Sequence, residues 1–389
     1  MVRWRKLANR FRRTQKTDMK HIHFIGICGV AMSALAIAFQ KLGYKVTGSD
    51  KGFYPPVSDN LREAGIDFYP GWHTEKMGSP DLVVVGNVAG SKNPEWLHVQ
   101  ENEISYKSYP EVIAEFLIAK NSIVCSGTYG KSTSSTLLSW ILKESGINPN
   151  YMFGGISLNG IAPAHIEKDA KWSIVEGDEY KTSRWDTRPK FAHYSPTHLL
   201  LTSVVWDHAD VFPTEKKYIE AFQTLVESVP NGGVKIISEK AKEVIGEKIS
   251  LPIITYGKNP DNDYVYKNVK QTKEQLSFVI TKNNEDFEVS APILGEYNAD
   301  NITGCFAMAT EIGIETQRII SAIAGFKGMK RRLQKRLESS VTVLDDIAHS
   351  PSKASAVLET LKNLYSGKVI AVFEPNTGNR ELQSMEGYK

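Results

Sequence analysis

Apolar residues along this chain follow two regimes. From His21 to about residue 240, short β-branched runs alternate with segments of helical spacing. Beyond Lys240 the runs alternate apolar and polar residues. His21–Ile25 leads into a glycine turn, Gly26-Ile27-Cys28-Gly29-Val30-Ala31-Met32, and then a small-residue helix over Ser33–Leu42 that Gly43 ends. Tyr44–Thr47 is a second strand, closing with Gly48-Ser49-Asp50, and Asp81–Gly86 is a further buried run, so this region predicts a parallel sheet. Ile123 and Val124 enter a second glycine turn, after which Leu137, Leu138, Ile141 and Leu142 fall at helical spacing. Trp172–Lys181 and His198–Val205 read as two more strands. Tyr264–Val269, Leu276–Ile280 and Phe287–Pro292 read as an antiparallel extension, with Asn283-Asn284 as a hairpin turn. A helix opens near Gly295 and runs to about Gly313. The end of the chain reads as a strand (Val341–Asp346), a helix (Ser352–Tyr365) and a last strand (Lys368–Phe373).

This order predicts an α/β protein with a basic N-terminal extension (1–18) and three domains: a Rossmann-like domain (19–120), a central domain built on the second glycine turn (121–327) and a short C-terminal domain (328–389). A length of 389 residues suits two or three domains. Hydrophobic residues at 41% and charged residues at 23% are those of a soluble globular chain. A net charge of +3 with no basic stripe in the body of the chain argues against nucleic acid as a partner. The three cysteines, Cys28, Cys125 and Cys305, have neither metal-ligand nor framework spacing and read as reduced thiols of a cytosolic protein. No apolar run reaches the ~18 residues of a membrane-spanning helix. The first eighteen residues carry seven Lys/Arg and one acid, with Trp4, Leu7 and Phe11 between them. They read either as a membrane-surface anchor or as a basic tail ahead of a true start at Met19. The tail is favoured, because a strand begins directly after Met19.

The second glycine turn carries the clearest chemistry. Gly127-Thr128-Tyr129-Gly130-Lys131-Ser132 between a strand and a helix is a phosphate-cradling arrangement: glycines turn backbone N–H groups inward and the helix start adds partial positive charge. The lysine reaches the β- and γ-phosphates, and the hydroxyl suits Mg²⁺. The usual first glycine, six residues before the lysine, is Cys125 here. The bland alternative is an ordinary strand-to-helix turn with a surface lysine. In the first region an acid, Asp50, follows the glycine turn by about twenty positions, the spacing at which a carboxylate faces the ribose or base of a nucleotide. An NAD-binding dehydrogenase shares that spacing, but it leaves the phosphate loop unexplained. Two acid clusters follow strands downstream: Glu176, Asp178 and Glu179, and then Asp207, His208 and Asp210. Loop acids are common, yet two clusters at strand ends beyond a phosphate loop point to metal or phosphate chemistry.

In their order and spacing, from about Lys20 to Arg380, these motifs resemble the Mur ligases, ATP-dependent enzymes that add amino acids or peptides to UDP-linked muramic acid. The loop is similar to G-T-x-G-K-[TS], the Glu176 segment to E-A-D-E, and Asp207-His208 to D-H-x-D. Asn298 and Asn301 are similar to H-N-x-x-N, Phe326–Arg332 to F-x-G-x-x-R-R, and Asp345–Pro351 to D-D-Y-x-H-x-P. The resemblance implies a three-domain architecture with ATP and Mg²⁺ as cofactors and UDP-N-acetylmuramate as substrate. It implies ATP contacts from Gly127, Thr128, Gly130, Lys131, Ser132, Thr133, Asn298, Arg332 and Asp346. It gives catalytic roles to Lys131, Glu176 and His208, and metal ligation to Ser132, Glu176 and His208. Gly26, Cys28, Gly29, Met32 and Asp50 would hold the UDP substrate, and His349 and Arg380 would receive the amine.

Members acting on a free L-alanine and members acting on the murein tripeptide share the first-domain pattern. Gly26–Gly29, Tyr54-Pro55-Pro56, Gly86-Asn87, Lys190–Tyr194, Asp207–Phe212 and Phe373-Glu374-Pro375 lean to the tripeptide. The chain departs from the family at Tyr129 (commonly His or Asn), Tyr297 (His), Lys181 (Asp) and Ser350 (His). The C-terminal region, with two strands and one helix, is expected to be part of a larger domain. A truncated ligase that binds UDP-N-acetylmuramate but turns over poorly is therefore one expectation, and a non-catalytic nucleotide-binding protein is another.

Overall fold

The computed structural model describes residues 20–207, 211–246, 249–250, 252–349 and 351–374. By its contacts the chain forms two units. One holds the described residues up to Phe116 together with Thr182–Asp186. The other holds Leu117–Lys181 and the described residues from Thr187 on.

In the first unit five strands, β1 (His21–Ile25), β2 (Lys45–Asp50), β3 (Asp67–Pro70), β4 (Leu82–Val85) and β5 (Tyr106–Ser108), form a sheet in the order β3-β2-β1-β4-β5, parallel throughout. Every residue of β1 and β4 is buried, as expected of inner parallel strands covered on both faces. The chain runs outward from β1 through β2 and β3, then returns to the other side as β4. The strand order therefore reverses beside β1, where an α/β sheet opens a crevice for ligands. Helix α1 (Val30–Lys41) starts directly from the glycine turn after β1. Thr182–Asp186 adds Trp185 to this unit, stacked on Trp96 with ring centroids 4.9 Å apart and edge-on to Tyr106.

The second unit is built on one ten-stranded sheet in the order β15-β14-β13-β12-β11-β10-β6-β9-β7-β8. Its strands are β6 (Asn121–Ser126), β7 (Asn150–Met152), β8 (Ala164–His165), β9 (Trp172–Gly177), β10 (His198–Leu201), β11 (Val234–Ser238), β12 (Ile254–Gly257), β13 (Tyr264–Gln271), β14 (Leu276–Lys282) and β15 (Glu285–Ala291). Strand β6 lies between β9 and β10, parallel to both, with Cys125 paired to Glu176 and Ser126 to Leu201. That register brings the ends of three strands to one place. The expected antiparallel extension is present as β13–β15, and Asn283 and Asn284 both take the left-handed backbone of a two-residue hairpin turn. Helix α2 (Lys131–Glu144) and helix α3 (Asn298–Glu311) share the core with this sheet, through Leu137, Leu138 and Ile141 on one and Ile302 and Phe306 on the other.

The C-terminal region departs from the sequence reading. Thr342–Asp345 (β17) pairs antiparallel with Gln334–Glu338 (β16), a strand too polar to be read from hydrophobic pattern, and helix α4 (Pro351–Leu364) follows. The strand expected over Lys368–Phe373 is not formed among the described residues, and Val372 is fully exposed. No helix among the described residues is long and apolar enough to cross a membrane.

Candidate functional site

The loop after β6 is held open by glycine backbone and stitched to the exit of β10. Gly127 and Gly130 have φ of +137° and +86°, and a Cβ on Gly130 would sit 2.3 Å from Asn301 Oδ1. Thr128 Oγ1 donates to the Val205 carbonyl (2.9 Å), accepts from the Val205 N–H (2.8 Å) and meets the Tyr218 hydroxyl (2.8 Å). The Tyr129 N–H donates to Ser203 Oγ at 2.8 Å. Helix α2 begins at Lys131 with neither a side-chain cap nor an acid in its first turn, so its N-terminal partial charge is left for a ligand. Thr133 lines the cavity that this helix start faces.

Acids from the end of β9 meet this helix start. Ser132 Oγ donates to Glu176 Oε1 at 2.8 Å, and the Gly154 N–H donates to Glu176 Oε2 at 2.7 Å. Lys131 Nζ donates to Glu179 Oε2 at 2.7 Å, with both side chains nearly enclosed. Lys190 Nζ lies 2.5 Å from Asp178 Oδ2. Burial pushes the Glu176 carboxyl up, against the pull of Lys131 and its two hydrogen bonds. For Lys131 burial acts downward, but Glu179, Asp178 and Glu176 together raise its pKa and keep it charged. Asp178 is held below the usual carboxylate range, its burial outweighed by Lys190 and Lys131.

This corner opens into a cavity of about 910 Å³. Asn298, at the first position of α3, lines it; its Nδ2 donates to the Leu294 carbonyl (2.8 Å) and its Oδ1 accepts from Asn301 (3.1 Å). Arg332, Asp346 and His349 line it as well. Asp346 is tied to the backbone N–H groups of Leu333 (2.8 Å) and Ala348 (2.7 Å), and His349 Nδ1 sits 2.8 Å from the Ile347 carbonyl. Pattern reading missed two groups here. Lys353 lies over the Tyr129 ring, Nζ 5.3 Å from its centroid. Asp300 also lines the cavity, its carboxyl pushed up to about 7 by burial, against the pull of Lys240. Tyr297, which stands where the family pattern has His, also lines the cavity and is 40% exposed. Neither Lys353 nor Asp300 sits at a motif position that demands a charged or acidic side chain. A second acid beyond Glu176 was visible in the sequence, but its pairing with Lys131 was not.

The first unit has its own cavity of about 720 Å³ at the strand-order reversal, lined by Gly26, Cys28, Gly29, Met32 and Asp50. Asp50 buttresses the glycine turn: its carboxylate accepts the N–H groups of Cys28 (2.8 Å) and Lys51 (2.7 Å). Gly26 has φ +87°, and a Cβ there would meet Val88 Cγ1 at 2.4 Å. Burial and the neighbouring Asp50 push the Cys28 thiol up to about 12. His208 and Arg380, expected at the metal and amine sites, lie outside the described residues.

Ser132 and Glu176 suit Mg²⁺ by donor chemistry: both are hard oxygen donors, and their hydrogen bond of 2.8 Å holds the hydroxyl and the carboxylate side by side at the start of α2. Among the described residues no group of three or more His, Cys, Asp or Glu is gathered as a metal cage.

Residues 125–309 match the Mur ligase middle domain, residues 21–121 the Mur ligase family catalytic domain, and residues 331–387 the Mur ligase glutamate ligase domain. A UDP-N-acetylmuramate–L-alanyl-γ-D-glutamyl-meso-2,6-diaminoheptandioate ligase of Haemophilus influenzae is 32% identical over 372 residues, covering 94% of this chain and 81% of that protein. A UDP-N-acetylmuramate–L-alanine ligase of a Bradyrhizobium species is 32% identical over 375 residues, covering 94% and 78%. Among solved structures, a murein peptide ligase from Psychrobacter arcticus superposes with a TM-score of 0.77 at 27% identity, covering 92% of this chain and 79% of that one.

Proposed function

This chain belongs to the Mur ligase family, and on that premise we propose that it is an ATP-dependent ligase joining a peptide to the lactyl carboxyl of UDP-N-acetylmuramate, in peptidoglycan recycling or synthesis. The favoured amine is L-Ala-γ-D-Glu-meso-diaminopimelate. The observation that carries the reading is the convergence of Lys131, Ser132, Glu176 and Glu179 at the uncapped start of α2, facing a cavity large enough for a nucleotide.

A carboxylate is a poor electrophile, so its oxygen first takes the γ-phosphoryl group of ATP. The P–O bond to ADP breaks, a P–O bond to the carboxyl forms, and the acyl phosphate results. The amine then attacks the acyl carbon, and phosphate leaves from the tetrahedral intermediate. Such chemistry rests mostly on positioning and charge neutralisation. Lys131 holds the transferring phosphoryl group, and Gly127, Thr128, Gly130 and Thr133 shape the cradle. Asn298 faces adenine, and Arg332 and Asp346 close over the nucleotide. Ser132 and Glu176, with His208, would hold Mg²⁺, which supplies charge neutralisation between phosphate oxygens. Residues 19–120 form the UDP-substrate domain, with the diphosphate at the Cys28-Gly29 turn and the uridine near Asp50. Residues 121–327 form the ATP domain, and residues 328–389 contribute His349 and Arg380 toward the amine. The unpaired cysteines and the nucleotide substrates fit a cytoplasmic enzyme.

Relatives of both amine classes are equally similar in identity, so the L-alanine ligase is the second reading. Phosphate release from ATP with Mg²⁺ and UDP-N-acetylmuramate, compared between the tripeptide and L-alanine, tests both. Release with the tripeptide alone supports the proposal, release with L-alanine alone replaces it with the second reading, and silence with both overturns the ligase.

A further inference from the structure

The nucleotide cavity contains a cation that neither the motifs nor the proposed mechanism uses. Lys353 comes from the first turn of α4, and its ammonium lies 5.3 Å from the centroid of the Tyr129 ring. The ring belongs to the phosphate loop and is fixed from its backbone. The Tyr129 N–H donates to Ser203 Oγ at 2.8 Å, and its carbonyl accepts from Thr202 Oγ1 and, at 3.2 Å, from Ser203 Oγ. Burial pushes the lysine's pKa down. Asp207 and Glu179 act against that shift, and Lys131 and Arg332 add to it. Three cations from three parts of the chain thus share one electrostatic neighbourhood in a partly desolvated cavity. Gathering like charges in this way is unfavourable in the free protein and becomes favourable when a polyanion enters. An aromatic face also holds an ammonium without using its N–H donors, which stay available to oxygen ligands. Tyr129 is moreover a position at which the loop departs from the family pattern noted in the sequence.

We propose that Lys353 is a phosphate-contacting catalytic residue of the ligase, its ammonium seated on the Tyr129 ring and donating to the γ-phosphoryl oxygens of ATP beside Lys131 as the phosphoryl group passes to the substrate carboxylate. Tyr129 is then a positioning residue. This inference rests on the ligase reading above.

The test uses the full chain and the variants K353M, K353R, Y129F, Y129A and Y129A/K353M. Steady-state phosphate release is read with ATP, Mg²⁺, UDP-N-acetylmuramate and whichever amine supports turnover. In parallel, binding of a non-hydrolysable ATP analogue is measured by calorimetry. K353M is expected to lower kcat/KM for ATP about tenfold to a hundredfold, the range of one charge-assisted hydrogen bond. It is expected to weaken the analogue about tenfold, leave UDP-N-acetylmuramate binding unchanged and melt no lower than wild type. K353R restores part of the loss, Y129F keeps the aromatic face and loses less than Y129A, and the double variant is no worse than K353M. A K353M enzyme with wild-type kcat/KM and analogue affinity overturns the inference while leaving the ligase intact. So does a loss that tracks a lower melting temperature and is not relieved by K353R. If the wild type is silent with both amines the ligase reading falls, and the analogue arm still decides whether Lys353 meets the phosphates.

Discussion

Lys131 Nζ lies 2.7 Å from Glu179 Oε2, and the carboxylate is 1% exposed. The lysine that should meet the phosphates is therefore already committed to a buried partner, and nucleotide must draw it across. Removing one member of such a pair strands the other charge, typically at about 3–5 kcal/mol, whereas removing both is far less costly. Lys131→Ala is expected to abolish phosphate release and lower the melting temperature. The double variant Lys131→Ala/Glu179→Gln should recover most of the melting temperature and remain inactive. Both should still bind UDP-N-acetylmuramate, because that ligand is assigned to the other unit. Equal loss of UDP-substrate binding in a folded variant would contradict this division of labour.

Ser132 and Glu176 make a prediction about metal demand. Hydrogen-bonded to each other at 2.8 Å, they are the two oxygen donors proposed to hold the ion. Glu176→Gln keeps the shape but removes the charge, so the Mg²⁺ concentration for half-maximal phosphate release should rise at least about tenfold. At saturating Mg²⁺ part of the rate should return. A Glu176→Gln enzyme with an unchanged Mg²⁺ titration would remove this residue from the metal site.

Gly26 offers a test in the first unit that separates space from backbone strain. At φ +87° any Cβ is strained, and here it would also meet Val88 Cγ1 at 2.4 Å. Gly26→Ala should weaken UDP-N-acetylmuramate binding by about tenfold or more while leaving ATP-analogue binding unchanged. Trimming the obstacle in Gly26→Ala/Val88→Ala should recover a measurable part of the affinity. An unaffected single variant would show that this turn is not where the UDP substrate binds.

Much of this architecture could be read before any coordinates, because the strongest signals were local. Strands such as His21–Ile25 and Leu276–Lys282 carry their own hydrophobic period, and Asn283-Asn284 carries its own turn geometry. The loop at Gly127–Ser132 is likewise a contiguous motif. What the sequence hid was pairing across distance. That Glu179 rather than Glu176 takes Lys131, and that Lys353 reaches Tyr129, follows from the register of β6 beside β9 and from the placement of α4, neither of which leaves a periodic trace. The C-terminal misreading has the same origin. Lys368–Phe373 has strand composition yet joins no sheet among the described residues, whereas polar Gln334–Glu338 pairs because a turn delivers it to Thr342–Asp345.

Asp300 provides the prediction that depends most directly on pH. Its carboxyl is pushed up from 3.8 to about 7 by burial, against the pull of Lys240 and with Glu239 adding to the shift; Lys258 and a hydrogen bond with Tyr266 pull it back. The folded pKa therefore lies above the unfolded one, so between these values the folded chain binds more protons than the unfolded chain. Stability from this group is accordingly present below about pH 4 and declines as pH rises toward 7, where the half-buried carboxylate must ionise. Asp300→Asn keeps the shape and cannot ionise. The variant should match wild type at the acidic end and become progressively more stable than wild type between pH 5 and pH 8. A shift of this size corresponds to at most about 4 kcal/mol. Thermal melts of both proteins at pH 5, 6, 7 and 8 check it. A melting difference that stays constant across that series, or that shrinks toward pH 8, would mean that Asp300 is ionised throughout and that its neighbouring lysines, not burial, set its charge.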